Sequence, residues 1–106
     1  MDEKTLVTDF LVKCTNLCEF LGNEKKEELV SKKLFDTAHE LSVAIFSFSN
    51  PILSKAEVAS LRKSAALKAD AFSLDLSALF SLGYISEAQR DSMTNSLSLI
   101  KKQMNI

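Results

Sequence analysis

The sequence predicts an all-α fold, an antiparallel up-down-up-down four-helix bundle that occupies residues 1–106 as a single domain. Three observations carry this expectation. Apolar residues recur at steps of three and four through four segments, the period of an amphipathic helix. The pattern is punctuated strongly at Gly22-Asn23, Asn50-Pro51 and Gly83-Tyr84, and two Gly and one Pro in 106 residues are too few turn residues for a many-stranded β domain. No segment alternates with period two for long enough to read as a strand. Short links between the segments make consecutive helices antiparallel. At 46% hydrophobic and 25% charged residues the composition is that of a globular chain. A chain of this length hides roughly two-thirds of its unfolded surface, so it can fold without disulfides or metal.

The first helix is expected from about Glu3 to Leu21. Leu6, Phe10, Cys14, Leu17 and Leu21 form its stripe, with Val7, Leu11 and Cys18 beside them. Gly22 is expected to end it in the left-handed conformation that glycine adopts freely. The second helix is expected from about Glu24 to Ser49, with Asn23 as its N-cap and Glu24, Glu27 and Glu28 placing negative charge at its positive end. Val30, Leu34, Ala38, Leu41, Ile45 and Phe48 are its core stripe. From Leu41 to Phe48 this helix is apolar on nearly every side, and a helix that is apolar all round is buried all round. In a lone bundle one side of every helix is wet. Val43, Ala44, Phe46 and Phe48 are therefore the candidate interface with another subunit.

The third helix is expected from Lys55 to Leu82, opened by a capping box of Ser54 and Glu57 and closed by Gly83. Val58, Leu61, Ala65, Ala69, Phe72, Leu76 and Leu79 make its stripe. The serines that step along it (Ser60, Ser64, Ser73, Ser77 and Ser81) read either as small side chains that permit close helix approach or as a solvated face, the latter being the plainer reading. The fourth helix opens with a second capping box, Ser86 and Gln89, and Met93, Leu97, Ile100 and Met104 carry its stripe.

Little in the chain points to chemistry. His39 is the single histidine, with Asp36 three residues before it on the same face; a di-metal carboxylate bundle needs two such motifs and further inward carboxylates. Cys14 and Cys18 lie four apart on one helix. Their side chains stand side by side, so a disulfide there strains the helix, and buried thiols in a reducing cytosol are the simpler reading. Nucleophilic catalysis lacks a G-x-S-x-G elbow, and glycines at 22 and 83 alone build no phosphate loop. Asp70 and Asp75 sit on diverging faces of one helix and read as solvated charge. The chain is expected to have no catalytic residues, no cofactor and no metal. Its polar opening, Met1-Asp2-Glu3-Lys4, has no apolar signal core behind it, and the run from Leu41 to Leu53 falls short of the about 20 apolar residues a membrane span needs. A cytoplasmic protein that does not enter membranes is expected.

The formal charge of −1 gives no field of one sign. In an antiparallel pair turning at Gly83-Tyr84, Lys68 falls level with about Ile100, and Arg62 and Lys63 fall near the C-terminus. Lys55, Arg62, Lys63, Lys68, Lys101 and Lys102 are thus expected to share one end of the rod. Arg62, Lys63, Lys68, Lys101 and Lys102 are the candidate nucleic-acid contacts, through phosphate rather than bases, because no aromatic residues interleave with them. A solvated charged end is the plainer reading of the same residues.

Four stretches are similar to a known family: Glu28-Leu29-Val30-Ser31-Lys32-Lys33-Leu34, Ser54-Lys55-Ala56-Glu57, Ala65-Ala66-Leu67-Lys68 and Leu82-Gly83-Tyr84-Ile85-Ser86. In order and spacing the chain resembles the bacterial four helix bundle protein family. That family includes the protein encoded by intervening sequences in large-subunit ribosomal RNA genes and the accessory variability determinant of diversity-generating retroelements. L-V-S-K-K-L stands against the family's V-L-S-K-Q-L, and S-K-A-E against S-K-x-D. The resemblance implies an antiparallel bundle assembled as a ring-shaped homopentamer and, in the retroelement members, a basic surface that engages RNA and a reverse transcriptase. The family stretch S-I-x-x-N-I-A-E falls on Glu40 to Ser47, where Leu41 and Ile45 fit and Ala44 and Ser47 replace the Asn and Glu. Asp36 stands where the family has Arg. Together these readings give a non-enzymatic, self-associating scaffold or adaptor. The alternatives are a nucleic-acid-binding accessory subunit of a retroelement reverse transcriptase and a small ligand- or metal-binding bundle enzyme.

Overall fold

Four helices form in the order α1 (Glu3–Asn23), α2 (Glu28–Ser47), α3 (Lys55–Ser81) and α4 (Glu87–Met104). The computed structural model describes residues 2–23 and 28–106, and no strand occurs among them. The expected Asn23 cap, the acidic residues Glu24, Glu27 and Glu28, and the stripe position Val30 lie outside the residues whose side chains are described. Each helix packs on its sequence neighbour, and α4 closes the square against α1. The result is an elongated bundle of 44 × 26 × 19 Å, close to the length that 27 residues of α3 give at about 1.5 Å per residue.

The stripes face inward as their spacing requires. Leu6, Phe10, Cys14, Leu17 and Leu21 of α1, Leu34, Ala38, Leu41 and Ile45 of α2, Ala65, Ala69, Phe72, Leu76 and Leu79 of α3, and Met93, Leu97 and Ile100 of α4 are all buried. Phe10 and Phe72 meet edge-to-face across the centre, with ring centroids 5.1 Å apart and planes at 61°. That geometry sets the positive edge of one ring against the negative face of the other.

Local chemistry starts and stops the helices. Ser54 Oγ accepts from the Glu57 amide at 3.1 Å while Glu57 Oε1 accepts from the Ser54 amide at 3.0 Å. Ser86 and Gln89 repeat the exchange at 3.1 and 2.7 Å. Each box satisfies two backbone donors that a bare helix start leaves open. α3 ends with Gly83 at φ 76°; the Tyr84 amide donates to Leu79 O and the Gly83 amide to Phe80 O. This is the paired bonding of a left-handed cap, which glycine enters without a Cβ clash. Asn105 at φ 56° ends α4 in the same conformation, and the Ile106 amide donates to Lys101 O.

Two expectations about boundaries are corrected. Gly22 does not end α1: it is helical, and the helix runs on to Asn23. The fully buried Leu21 anchors that last turn, and such packing outweighs the about 1 kcal/mol that glycine costs inside a helix. α2 stops at Ser47, not Ser49. Single-turn bonds from the Phe48, Asn50 and Leu53 amides carry the chain to Ser54, and Asn50 Oδ1 accepts from the Ile52 amide at 3.0 Å, an Asx turn that leaves no room for a further helical turn.

Candidate functional site

The candidate interface residues divide between the outside and the inside of the bundle. Val43 and Phe46 are about half exposed, whereas Ala44 is buried in the chain's own core and Phe48 is half-buried against it. Phe48 also lies under the Arg62 guanidinium, 4.6 Å from the ring centroid. Around α2, Val43 and Phe46 continue a stripe through Phe35 and His39, at steps of four, four and three. Phe35 is exposed too, and its ring stacks with His39 at 6.3 Å and 20°.

A second outward stripe runs along α3, and the sequence reading missed it. Leu67, Leu74 and Leu82 are exposed at 64%, 71% and 60%. Ala71 and Ala78, both exposed, fall between them. The steps of four, three, four and four keep all five on one side of the helix. The signal was present as leucines out of phase with the inward set at 65, 69, 72, 76 and 79. It was obscured because alanines fill part of the core while leucines sit outside. The two stripes are not continuous: Lys68 Nζ pairs with Glu40 Oε2 at 2.9 Å across α2 and α3, and this ion pair lies between them. Val12, Ile52 and Leu99 are exposed singly, as is common on any protein surface.

The basic residues are distributed rather than pooled. Arg62 donates to Met104 O, so the levels expected from the antiparallel register hold, and its other face covers Phe48. Lys101 pairs with Asp70 at 3.6 Å. Lys68 points toward α2 and Lys101 reaches α3 from α4, so they occupy opposite flanks of α3. Lys63 and Lys102 are exposed, and neither forms an ion pair among the described residues. At the other end of the α3–α4 pair, Arg90 stacks on Phe80 at 4.1 Å and pairs with Asp91 at 3.1 Å.

The thiols occupy the α1–α2 seam. Cys18 Sγ donates to Ser31 O and Ser31 Oγ donates to Cys18 O, both at 3.4 Å. A hydrogen bond from Cys14, helped by contacts from Ser31 and Phe35 and opposed by burial, pulls the Cys18 thiol down to about 7. The same bond, with burial, pushes the Cys14 thiol up. His39 is exposed on α2 and stacks with Phe35. Among the described residues no three His, Cys, Asp or Glu side chains converge on a point where a metal ion would sit. Asp75 departs from its expected solvated setting: its Oδ2 is buried, with no hydrogen-bond partner among the described residues. A surface groove of about 370 Å³ runs between α1 and α4, lined by Leu17, Phe20, Met93, Lys13, Asn16 and Gln89.

The chain is similar in structure to a protein of unknown function from the S23 ribosomal protein family of Bacteroides thetaiotaomicron, solved by crystallography. The TM-score is 0.88 with 26% sequence identity over 96% of this chain and 94% of that one. The two chains therefore share one four-helix fold over nearly their full lengths. No protein-family model matches the sequence, and no curated protein matches it. No helix among the described residues is long and apolar enough to cross a membrane.

Proposed function

We propose that this chain is a non-enzymatic helical scaffold or adaptor that associates with copies of itself and works through the surface of that assembly. The observation that carries the reading is the pair of outward stripes. Three large apolar side chains on α2 and three on α3 are 36% to 71% exposed on a bundle whose core is already closed. Clustered exposed apolar surface of this kind marks protein interaction sites. The structural likeness and the stretch from Glu28 to Leu34 support reading the chain as a divergent member of the bacterial four helix bundle protein family, with the ring-shaped assembly that family implies. Two thiols held without a disulfide support a reducing, cytoplasmic setting.

Contact with RNA or a reverse transcriptase has less behind it. Arg62, Lys68 and Lys101 are spent on contacts within the bundle, which leaves Lys63 and Lys102 for phosphate. Light scattering tests the central reading. A species several times the 11.7 kDa of one chain at micromolar concentration is expected; a monomer across the accessible concentration range overturns it.

A further inference from the structure

We infer that the groove beside Arg62, where the α2–α3 link meets the start of α3, binds a small organic anion: a carboxylate carried on a short apolar body. The inference goes beyond the scaffold reading and does not depend on self-association.

The groove has a volume of about 330 Å³, at the low end of the about 300–1,000 Å³ of small-molecule clefts. Phe48, Leu53, Val58 and Ala59 give it apolar walls, and Lys55 and Arg62 give it charge. Local structure dictates this grouping. Lys55, Val58, Ala59 and Arg62 follow one another at helical spacing, so they share one face of α3. The single-turn bonds of the link, from the Phe48, Asn50 and Leu53 amides, keep Phe48 and Leu53 beside that face.

Charge selects the occupant. The lining holds two cations and no carboxylate. Lys55 forms no ion pair among the described residues. Glu57, on the same turn, gives its Oε1 to the Ser54 amide instead. Glu3 lines an adjoining groove and forms no ion pair with Arg62 among the described residues. Arg62 is also held in place beforehand. It donates to Met104 O, and its guanidinium lies 4.6 Å from the Phe48 ring centroid. A guanidinium has several N–H donors in a planar fork, and those left over match the two oxygens of one carboxylate. A donor fixed in advance loses little freedom when the anion arrives. Lys55, on the same helix face about 10.5 Å along the axis, adds attraction within about one screening length.

Shape selects a small molecule over a longer chain. No strand occurs among the described residues, so no sheet edge offers hydrogen bonds to a peptide backbone. Phe48 is the one aromatic ring of the lining and is already stacked with Arg62, which leaves no platform for a base.

Titrating octanoate into isotope-labelled protein and following the amide resonances tests the site. Saturable shifts are expected to centre on Leu53, Lys55, Val58, Ala59 and Arg62. Octanol and octylammonium carry the same chain without an anionic head and are expected to bind at least about tenfold more weakly. Lys55→Gln and Arg62→Lys should each weaken octanoate by about the same factor. Ala59→Trp, at an exposed helical position, fills the groove without changing its charge and should abolish binding while circular dichroism shows the helix content retained. No saturable shift at millimolar octanoate, or shifts centred elsewhere, overturns the assignment. Octanol binding as tightly as octanoate shows that no anion is recognised, and an unchanged affinity in Ala59→Trp shows that the groove is not the site. Displacement of octanoate by an oligouridylate on the same amides would mean that the surface serves a nucleic-acid backbone, and the small-molecule assignment falls.

Discussion

Cys18 and Arg62 are the residues whose surroundings depart most from what their positions in the sequence suggest. Cys18 is half-buried beside Ser31, and the hydrogen bond from Cys14 favours its thiolate. A group held low ionises earlier as pH rises, so alkylation of Cys18 by iodoacetamide should increase through about pH 7, below the about 8.5 of a free thiol. Removing the donor by Cys14→Ala should move that midpoint back up. Cys14, pushed the other way and fully buried, should stay unmodified until the protein unfolds. Peptide mass mapping over a pH series reads all three outcomes. Arg62 bridges the end of α4 to Phe48 through a hydrogen bond on one side and its guanidinium plane on the other. Arg62→Ala should lower stability by about 1–2 kcal/mol in urea unfolding. Arg62→Lys should recover little, because an ammonium has no plane to stack.

At the scale of elements, the capping residues were the most legible part of the chain, and for a physical reason. A capping box is a bargain struck within four consecutive residues, so Ser54 with Glu57 and Ser86 with Gln89 could be found without knowing the fold. Ser86→Ala should cost about 1 kcal/mol, and Gly83→Ala about 1–2 kcal/mol because alanine must enter the left-handed region at φ 76°. Thermal unfolding of each variant checks both values. The inward stripes were legible for a similar reason, since helical period alone puts Leu34, Ala38, Leu41 and Ile45 on one side. What could not be read was decided by neighbours distant in sequence. Gly22 stays helical because Leu21 packs into the core. Ala44 is inside and Val43 outside because close helix approach selects the smaller side chain for that seam, and the same inversion hid Leu67 and Leu74 behind Ala65 and Ala69. The charged end misled for the complementary reason: the register was right, but the register does not reveal which lysine finds a carboxylate.

For the molecule as a whole, the dispersal of the cations predicts weak, sequence-independent nucleic-acid binding at most. Neutralising Lys63 and Lys102 together should abolish whatever gel-shift signal exists at low salt and leave helix content unchanged; tight binding near 0.15 M salt that ignores both changes would place the contact elsewhere. The meeting of Phe10 with Phe72 bears on how the bundle holds together. Contacts between consecutive helices are local and each could in principle form or melt alone. The Phe10–Phe72 contact instead joins opposite corners of the square and closes a loop of about 60 residues, a large but slowly growing entropic cost. Once made, it ties the opening of either hairpin to the opening of both. Loss of helix and loss of aromatic packing should therefore follow one transition with a common midpoint, and Phe10→Ala, besides removing about 3–5 kcal/mol, should pull the two signals apart.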